Sequence, residues 1–252
     1  MKIHVLGSGT STGVPEIGCR CAVCTSADSR DHRLRCSSLF DTGTERILVD
    51  CGPDFRQQIM PLEFARIDGV LITHEHYDHV GGIDDLRPFS RFGDVPLYAE
   101  AHTADRLRIQ MPYCFAAERY PGAPKVTLTD IRPHETFHIG RTAVTPLRVM
   151  HGPMPILGFR IGDVGYITDM KTMPDEELPY LQRLDCLFVN ALRFKEHWTH
   201  MSLSEALQFA ARVGAKETYF IHMSHHIGLH AEAELQLPPH VHFAYDGLVV
   251  EV

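Results

Sequence analysis

The chain has 252 residues, 44% hydrophobic and 22% charged, which is enough apolar material for a continuous core and too little polar bias for disorder. Its 24 basic and 32 acidic residues leave a formal net charge of −8, and no basic stripe interrupts that balance, which argues against extended nucleic-acid binding. Apolar runs such as Gly69-Val70-Leu71-Ile72 fall far short of the roughly 20 residues that cross a bilayer.

The N-terminus, Met1-Lys2-Ile3-His4-Val5-Leu6-Gly7, lacks the apolar core and cleavage site of a signal peptide. A soluble cytoplasmic protein with no membrane partner is expected. Ile3 to Leu6 reads as a strand, followed by the loop Gly7-Ser8-Gly9-Thr10. The seven cysteines are odd in number, and three crowd at Cys19, Cys21 and Cys24, a pattern unlike a secreted disulfide framework and suited to thiolates that bind metal in a reduced compartment. Ile47 to Asp50 is a short strand ended by Cys51-Gly52-Pro53, and Phe55 to Phe64 a short helix interrupted by Pro61. Gly69 to Thr73 is a buried strand running into a histidine-rich segment. Between Glu100 and Pro133 a helix and an aromatic flap are expected, with Met111, Tyr113, Phe115 and Tyr120 as walls, core or a dimer contact. Further strands fall at Val95 to Ala99, Thr142 to Val149, Leu157 to Ile161, Gly165 to Thr168, Leu187 to Val189 and Glu217 to Ile221. The clearest helix runs from Ser202 to Val213, with Gly214 as its stop. Strands alternating with helices indicate a layered α/β protein with its chemistry on loops, and a single domain over 1–252.

Thr73-His74-Glu75-His76-Tyr77-Asp78-His79 places four ligand-type side chains, His74, His76, Asp78 and His79, within six residues after an apolar strand. Imidazole and carboxylate together suit zinc, manganese or iron, and four donors are enough to begin two adjacent sites. His151, Asp169 and His222 each follow an apolar strand, which makes them candidates for the remaining ligands.

His74-Glu75-His76-Tyr77-Asp78-His79 matches the HxHxDH motif of the metallo-β-lactamase superfamily, and the later order His, Asp, His resembles that family along essentially the whole chain. The resemblance implies an αββα sandwich. It implies that His74, His76 and His151 hold one metal, that Asp78, His79 and His222 hold a second, and that Asp169 bridges them. Two such ions share a hydroxide and neutralise charge on an attacked phosphoryl or carbonyl group, so no protein nucleophile is needed. Asp50 looks like the family's carboxylate that orients a ligand histidine, and loop capping is its alternative role.

Gly18-Cys19-Arg20-Cys21-Ala22-Val23-Cys24 favours a closed tetrahedral zinc site wanting one more ligand, rather than a redox pair at Cys21 and Cys24. This cysteine pattern after a Gly-Ser-Gly-Thr loop resembles the PhnP-like cyclic-phosphate phosphodiesterases. In that family the fourth ligand is a histidine three residues beyond the last catalytic ligand. His222-Met223-Ser224-His225 supplies it as His225, with His226 as the neighbour that could substitute. PqqB-like proteins share a related cysteine pattern with a degraded histidine motif, whereas this one is complete.

His200-Met201-Ser202-Leu203-Ser204-Glu205-Ala206 is similar to the H-x-[ST]-x-x-E-A element of tRNase Z-like enzymes. The resemblance implies that His200 protonates a leaving oxygen or steadies a phosphoryl group. Ser202 and Glu205 also form a capping box, which explains both without catalysis. His197 and Trp198 are read as loop packing. The expected function is hydrolysis of small or cyclic phosphodiesters, with Asp78 and His200 in catalytic roles, two catalytic divalent metals and one structural zinc. The alternatives are tRNase Z-like RNA processing, thioester or lactone hydrolysis at the same metals, and a metal-binding module without catalysis. The family tends to dimerise, so a homodimer is open.

Overall fold

Side chains alternate along a strand, so each strand of a sandwich feeds two apolar layers. The computed structural model describes residues 1–116, 118 and 120–252, and these form two seven-stranded sheets. The first contains β1 (Lys2–Gly7), β2 (Ser37–Asp41), β3 (Arg46–Val49), β4 (Gly69–Leu71), β5 (Val95–Ala99) and β6 (Val126–Asp130). The second contains β7 (Phe137–Ile139), β8 (Thr142–His151), β9 (Met154–Ile161), β10 (Val164–Ile167), β11 (Cys186–Asn190), β12 (Glu217–Ile221) and β13 (Val241–Phe243). The last strand, β14 (Val249–Glu251), returns to the edge of the first sheet beside β1. Strand orders are β14-β1-β2-β3-β4-β5-β6 and β13-β12-β11-β10-β9-β8-β7. Each sheet is antiparallel at one end and parallel at the other: β3 to β6 run parallel, as do β10 to β13.

Ile3, Val5, Phe40, Ile47, Val49 and Leu71 face Val144, Leu157, Phe159, Tyr166, Phe188 and Ile221 between the sheets. The alternate residues of the first sheet, including Leu39, Leu48, Val70 and Leu97, pack outward against the helical segments α1 (Phe55–Ile59), α2 (Tyr77–Val80), α3 (Ala101–Gln110) and α4 (Pro112–Phe115). Those of the second sheet, including Val149, Leu187, Val189 and Phe220, pack against α5 (Leu203–Val213) and α6 (His230–Ala233). This is the expected αββα sandwich.

Ser202 caps α5 with the full capping box, and Gly214 ends it in the left-handed conformation at φ 64°. The helix expected over Phe55 to Phe64 stops at Ile59, since Pro61 cannot continue it. Ile83–Phe92 forms a 3₁₀ stretch around Pro88 that the sequence pattern did not announce. Met111 and Phe115 pack on the outer core, and Tyr113 lies beside Tyr120 with ring centroids 6.3 Å apart. No helix among the described residues is long and apolar enough to cross a membrane.

Candidate metal centre

The histidine-rich segment leaves β4 and turns into α2 at once. Tyr77 points outward at the helix start, while Asp78 and His79 are buried beneath it. A second chain segment pins this turn: Cys51 N–H donates to His79 O (2.7 Å) and Gly82 N–H to Cys51 O (2.9 Å). The approach is so close that a Cβ on Gly52 would lie 2.0 Å from the Asp78 carbonyl oxygen, so only glycine fits there.

His74 Nε2 and His76 Nδ1 face each other at 3.0 Å. The His151 ring lies 5.7 Å from that of His74 and 5.3 Å from that of His76, centroid to centroid. His151 uses Nδ1 on the carbonyl oxygens of Asp169 (2.9 Å) and Thr199 (3.0 Å), which leaves Nε2 as its donor atom towards an ion. Beside this group, His79 Nε2 stands 3.1 Å from both Asp78 Oδ2 and Asp169 Oδ2. His222 Nε2 stands 3.1 Å from Asp169 Oδ1 and 3.7 Å from Asp78 Oδ2. Asp169 therefore directs its two oxygens at different partners. The structure brings together all seven residues expected from the sequence.

Asp50 ends β3 inside the sandwich. Its Oδ1 accepts from Thr73 N–H (2.9 Å), and its Oδ2 accepts from Thr73 Oγ (2.8 Å) and His79 Nδ1 (2.6 Å). Thr73 Oγ, having given its proton to Asp50, accepts from His74 Nδ1 at 3.0 Å. In the neutral rings one carboxylate thus places the protons of two histidines on Nδ1, which leaves Nε2 of each as the atom that can bind an ion. Asp50, Asp169 and His222 all sit at strand ends with left-handed φ of 59°, 57° and 56°, a conformation that non-glycine residues adopt at a cost. Asn190, at the end of β11, clamps the loop after Asp169: its Oδ1 accepts from Met170 N–H (2.7 Å) and its Nδ2 donates to Met170 O (3.0 Å). The N-terminal loop does the same for His222, since Met223 N–H donates to Ser8 O and Thr10 N–H to Met223 O, each at 3.0 Å.

The electrostatics call for positive charge. Burial would lower the His79 pKa, but Asp78, Asp169 and Asp50 together raise it well above its ordinary value. Burial would raise the Asp169 carboxyl, but His222 and His79 hold it well below the usual range. The buried Nε2 atoms of His79 and His222 nevertheless have no hydrogen-bond partner. Unpartnered imidazole nitrogens beside converging carboxylates, with Asp78, His79, Asp169 and His222 donor atoms all within 4.8 Å, fit a divalent ion.

His200 packs on this group, with ring centroids 4.6 Å from His151 and 4.9 Å from His222. Its Nδ1 is buried without a hydrogen bond and lies 3.7 Å from Asp169 Oδ1. Burial, opposed by Asp169, pulls its pKa down to about 3. Glu205 does more than cap its helix. Its Oε2 accepts from Ser202 N–H (2.8 Å), while its Oε1 accepts from Lys171 Nζ (2.6 Å), which ties the segment after His200 to the segment after Asp169. Trp198 is not loop packing: it is 76% exposed. Sequence reading also missed Thr73, Asn190 and Lys171. Asn190 carried a signal, as a polar residue closing a buried apolar strand.

Away from this centre, Cys19, Cys21, Cys24 and His225 bring their donor atoms within 4.8 Å of one another. Cys24 Sγ is 3.2 Å from His225 Nδ1. The Cys24 backbone N–H lowers the pKa of Cys21, whereas burial raises Cys24 to about 11. Three sulfurs and one imidazole at that spacing fit a tetrahedral zinc. His226 stays outside the group, its Nε2 3.0 Å from His225 Nε2.

Comparison with known proteins agrees with this picture. A family model described as the beta-lactamase superfamily domain matches residues 45–223. The chain is similar to a solved diphosphatase from the PhnP family, at 40% identity and a TM-score of 0.92, over 100% of this chain and 97% of that one. It is 46% identical over 250 residues to an octanoyltransferase from Porphyromonas gingivalis. That match covers 98% of this chain and 51% of the other, so the chain spans about half the length of this curated relative. Zn-bound PqqB from Methylobacterium extorquens shares the fold, with a TM-score of 0.79, 22% identity and full coverage of both chains. More than two thirds of the chain falls under the family model, and the chain belongs to the metallo-β-lactamase superfamily, with its likeness to the PhnP family spanning its whole length.

Proposed function

We propose that this protein is a metal-dependent phosphodiesterase acting on small or cyclic phosphodiesters. The observation that carries the reading is His200, a buried histidine outside the HxHxDH donor set whose Nδ1 faces Asp169 Oδ1 at 3.7 Å. His74, His76 and His151 would hold one divalent ion and Asp78, His79 and His222 the other, with Asp169 shared. When bound, such a pair lowers the pKa of water and neutralises charge on a phosphoryl group. The chain's own residues supply the rest. Asp50 and Thr73 fix the tautomers of His79 and His74, and Thr199 and the Asp169 carbonyl fix that of His151. Burial holds the His200 pKa down at about 3. The negative charge of a bound phosphodiester opposes that shift, and the imidazolium it favours delivers a proton to the departing alkoxide, a step that phosphodiester cleavage needs and an activated acyl group does not. Cys19, Cys21, Cys24 and His225 would hold a structural zinc that braces the segment carrying His222.

The likeness to a PhnP-family diphosphatase supports phosphoryl chemistry. The octanoyltransferase relative raises acyl chemistry as a second reading, although its name belongs to a protein about twice as long. The test is hydrolysis of bis(p-nitrophenyl) phosphate and of an octanoyl thioester by metal-reconstituted protein, beside Asp78→Ala. Phosphodiester turnover that the substitution abolishes is the expected result. Thioester turnover alone, by protein carrying its metals, would replace the phosphodiesterase reading.

A further inference from the structure

Between β11 and α5 the chain makes an excursion over residues 193–200 and returns to its starting point. Leu192 N–H donates to Met201 O (3.0 Å) and Leu203 N–H to Arg193 O (2.8 Å), closing its base. Arg193 staples the interior, its Nε donating to Lys195 O (3.2 Å) and its Nη2 to Glu196 O (2.8 Å). On the far side Thr199 O accepts from His151 Nδ1. Trp198 therefore rides on a braced loop, one residue from the atom that fixes His151 and two from His200.

Its indole has no ring partner among the described residues and is 76% exposed. Gly152, the residue after His151, has φ +60°, and a Cβ there would meet Thr199 Cγ2 at 2.9 Å and Trp198 Nε1 at 3.2 Å. One edge of the indole is thus seated against the loop of His151 while most of its surface faces water. A large aromatic body left wet on a rigid loop beside a reacting centre is the arrangement that grips a planar ligand. Arg193, Phe194 and Lys195 of the same loop, with His226, line a cavity of about 360 Å³, so the loop that carries the indole also carries cationic side chains.

We propose that Trp198 is a stacking platform for the base of the substrate, so that the substrate class is nucleoside phosphodiesters rather than sugar cyclic phosphates without a base. This rests on the phosphodiesterase reading. Trp198 is the only tryptophan in the chain, so its emission reports on the platform alone. Metal-loaded full-length protein is titrated with adenosine 5′-monophosphate and with ribose 5-phosphate, following tryptophan emission and heat of binding. The nucleotide quenches emission saturably and binds about tenfold more tightly than the sugar phosphate, as one stacked base provides. Trp198→Ala loses that preference and Trp198→Phe keeps most of it. Absent or equal binding of the two probes, or nucleotide binding that leaves the emission unchanged, overturns the platform. Adenosine 2′,3′-cyclic phosphate is then compared with a ribose cyclic phosphate as substrates. Equal turnover of the two overturns the platform and leaves the phosphodiesterase standing. Base-dependent binding with no phosphodiester turnover overturns the phosphodiesterase and leaves the platform.

Discussion

Replacing Asp50 by asparagine removes a charge and almost no volume, so its effect isolates what the carboxylate does for the histidines around it. The carboxylate accepts three hydrogen bonds: from Thr73 N–H on Oδ1, and from Thr73 Oγ and His79 Nδ1 on Oδ2. An amide has one accepting atom. If its oxygen takes the Oδ2 position, the NH₂ group confronts Thr73 N–H and leaves a buried donor unpaired, at a cost of about 1–3 kcal/mol. If the amide turns over, the NH₂ group faces Thr73 Oγ and His79 Nδ1. Both can then serve only as acceptors, Thr73 gives its proton to His74 Nδ1, and both histidines carry their own proton on Nε2, the atom needed for a metal. Either outcome weakens ion binding. Loss of such a supporting partner is worth roughly 10–100-fold in metal affinity, about 1.4–2.7 kcal/mol, which agrees with the hydrogen-bond cost. The assay is competition with a chelator of known affinity for zinc and for manganese, beside thermal unfolding with and without metal. An Asp50→Asn protein that binds both ions with native affinity and turns over at the native rate would refute the tautomer argument and leave Asp50 as a loop cap.

Three other substitutions test separate parts of the molecule. His200→Gln is expected to retain both metals and to lose on the order of 100-fold in kcat on an alkyl phosphodiester. It should lose far less on a p-nitrophenyl ester, whose leaving group needs no proton. Equal losses on the two substrates would remove His200 as proton donor. Cys24→Ser should release one tightly held zinc, keep the catalytic pair and lower the melting temperature. Unchanged zinc stoichiometry would show that the thiol cluster binds none. Glu45 accepts from Arg141 N–H and from the hydroxyls of Thr42, Thr44 and Thr142, and these bonds, led by that of Arg141, draw its pKa down to about 2. A depressed carboxyl stabilises the fold above its unfolded pKa, and that stabilisation is lost as pH falls through about 2. In chelator-treated protein the melting-temperature gap between wild type and Glu45→Gln should be full near neutrality and close towards pH 2. A gap that stays constant would refute the assignment.

The HxHxDH segment was legible because four donors fall within one turn of chain, a local coincidence that chance seldom produces. His151, Asp169 and His222 were legible more weakly, as polar residues closing apolar strands. What the pattern withheld is conformation and company. Nothing in the letters marks Asp50, Asp169 and His222 as left-handed, since a non-glycine residue reaches that state only when the surrounding structure imposes it. Glu205 read as a helix cap and is one. Its second bond, to Lys171, depends on two segments meeting from 34 residues apart, and no local pattern encodes that. Trp198 was misread because a lone tryptophan is usually buried, and its exposure follows from a loop that Arg193 staples through its own backbone. The strand β2 was missed because its serines, Ser37 and Ser38, are buried by pairing and not by apolarity.

The thiol loop and its histidine have a further consequence for how the molecule is made. Cys24 and His225 lie 201 residues apart in sequence yet 3.2 Å apart in space. Joining them from an open chain costs about 5 kcal/mol of loop entropy. A ribosome adding about 5–20 residues per second leaves the three thiols without their fourth partner for roughly 10–40 s. During that interval the emerging N-terminal sheet must hold by its own strand pairing. The thiol loop is then open to oxidation or to a stray metal, and the clip closes only when synthesis has passed residue 225. Translation order thus makes a segment synthesised well before residue 225 one of the last to be secured.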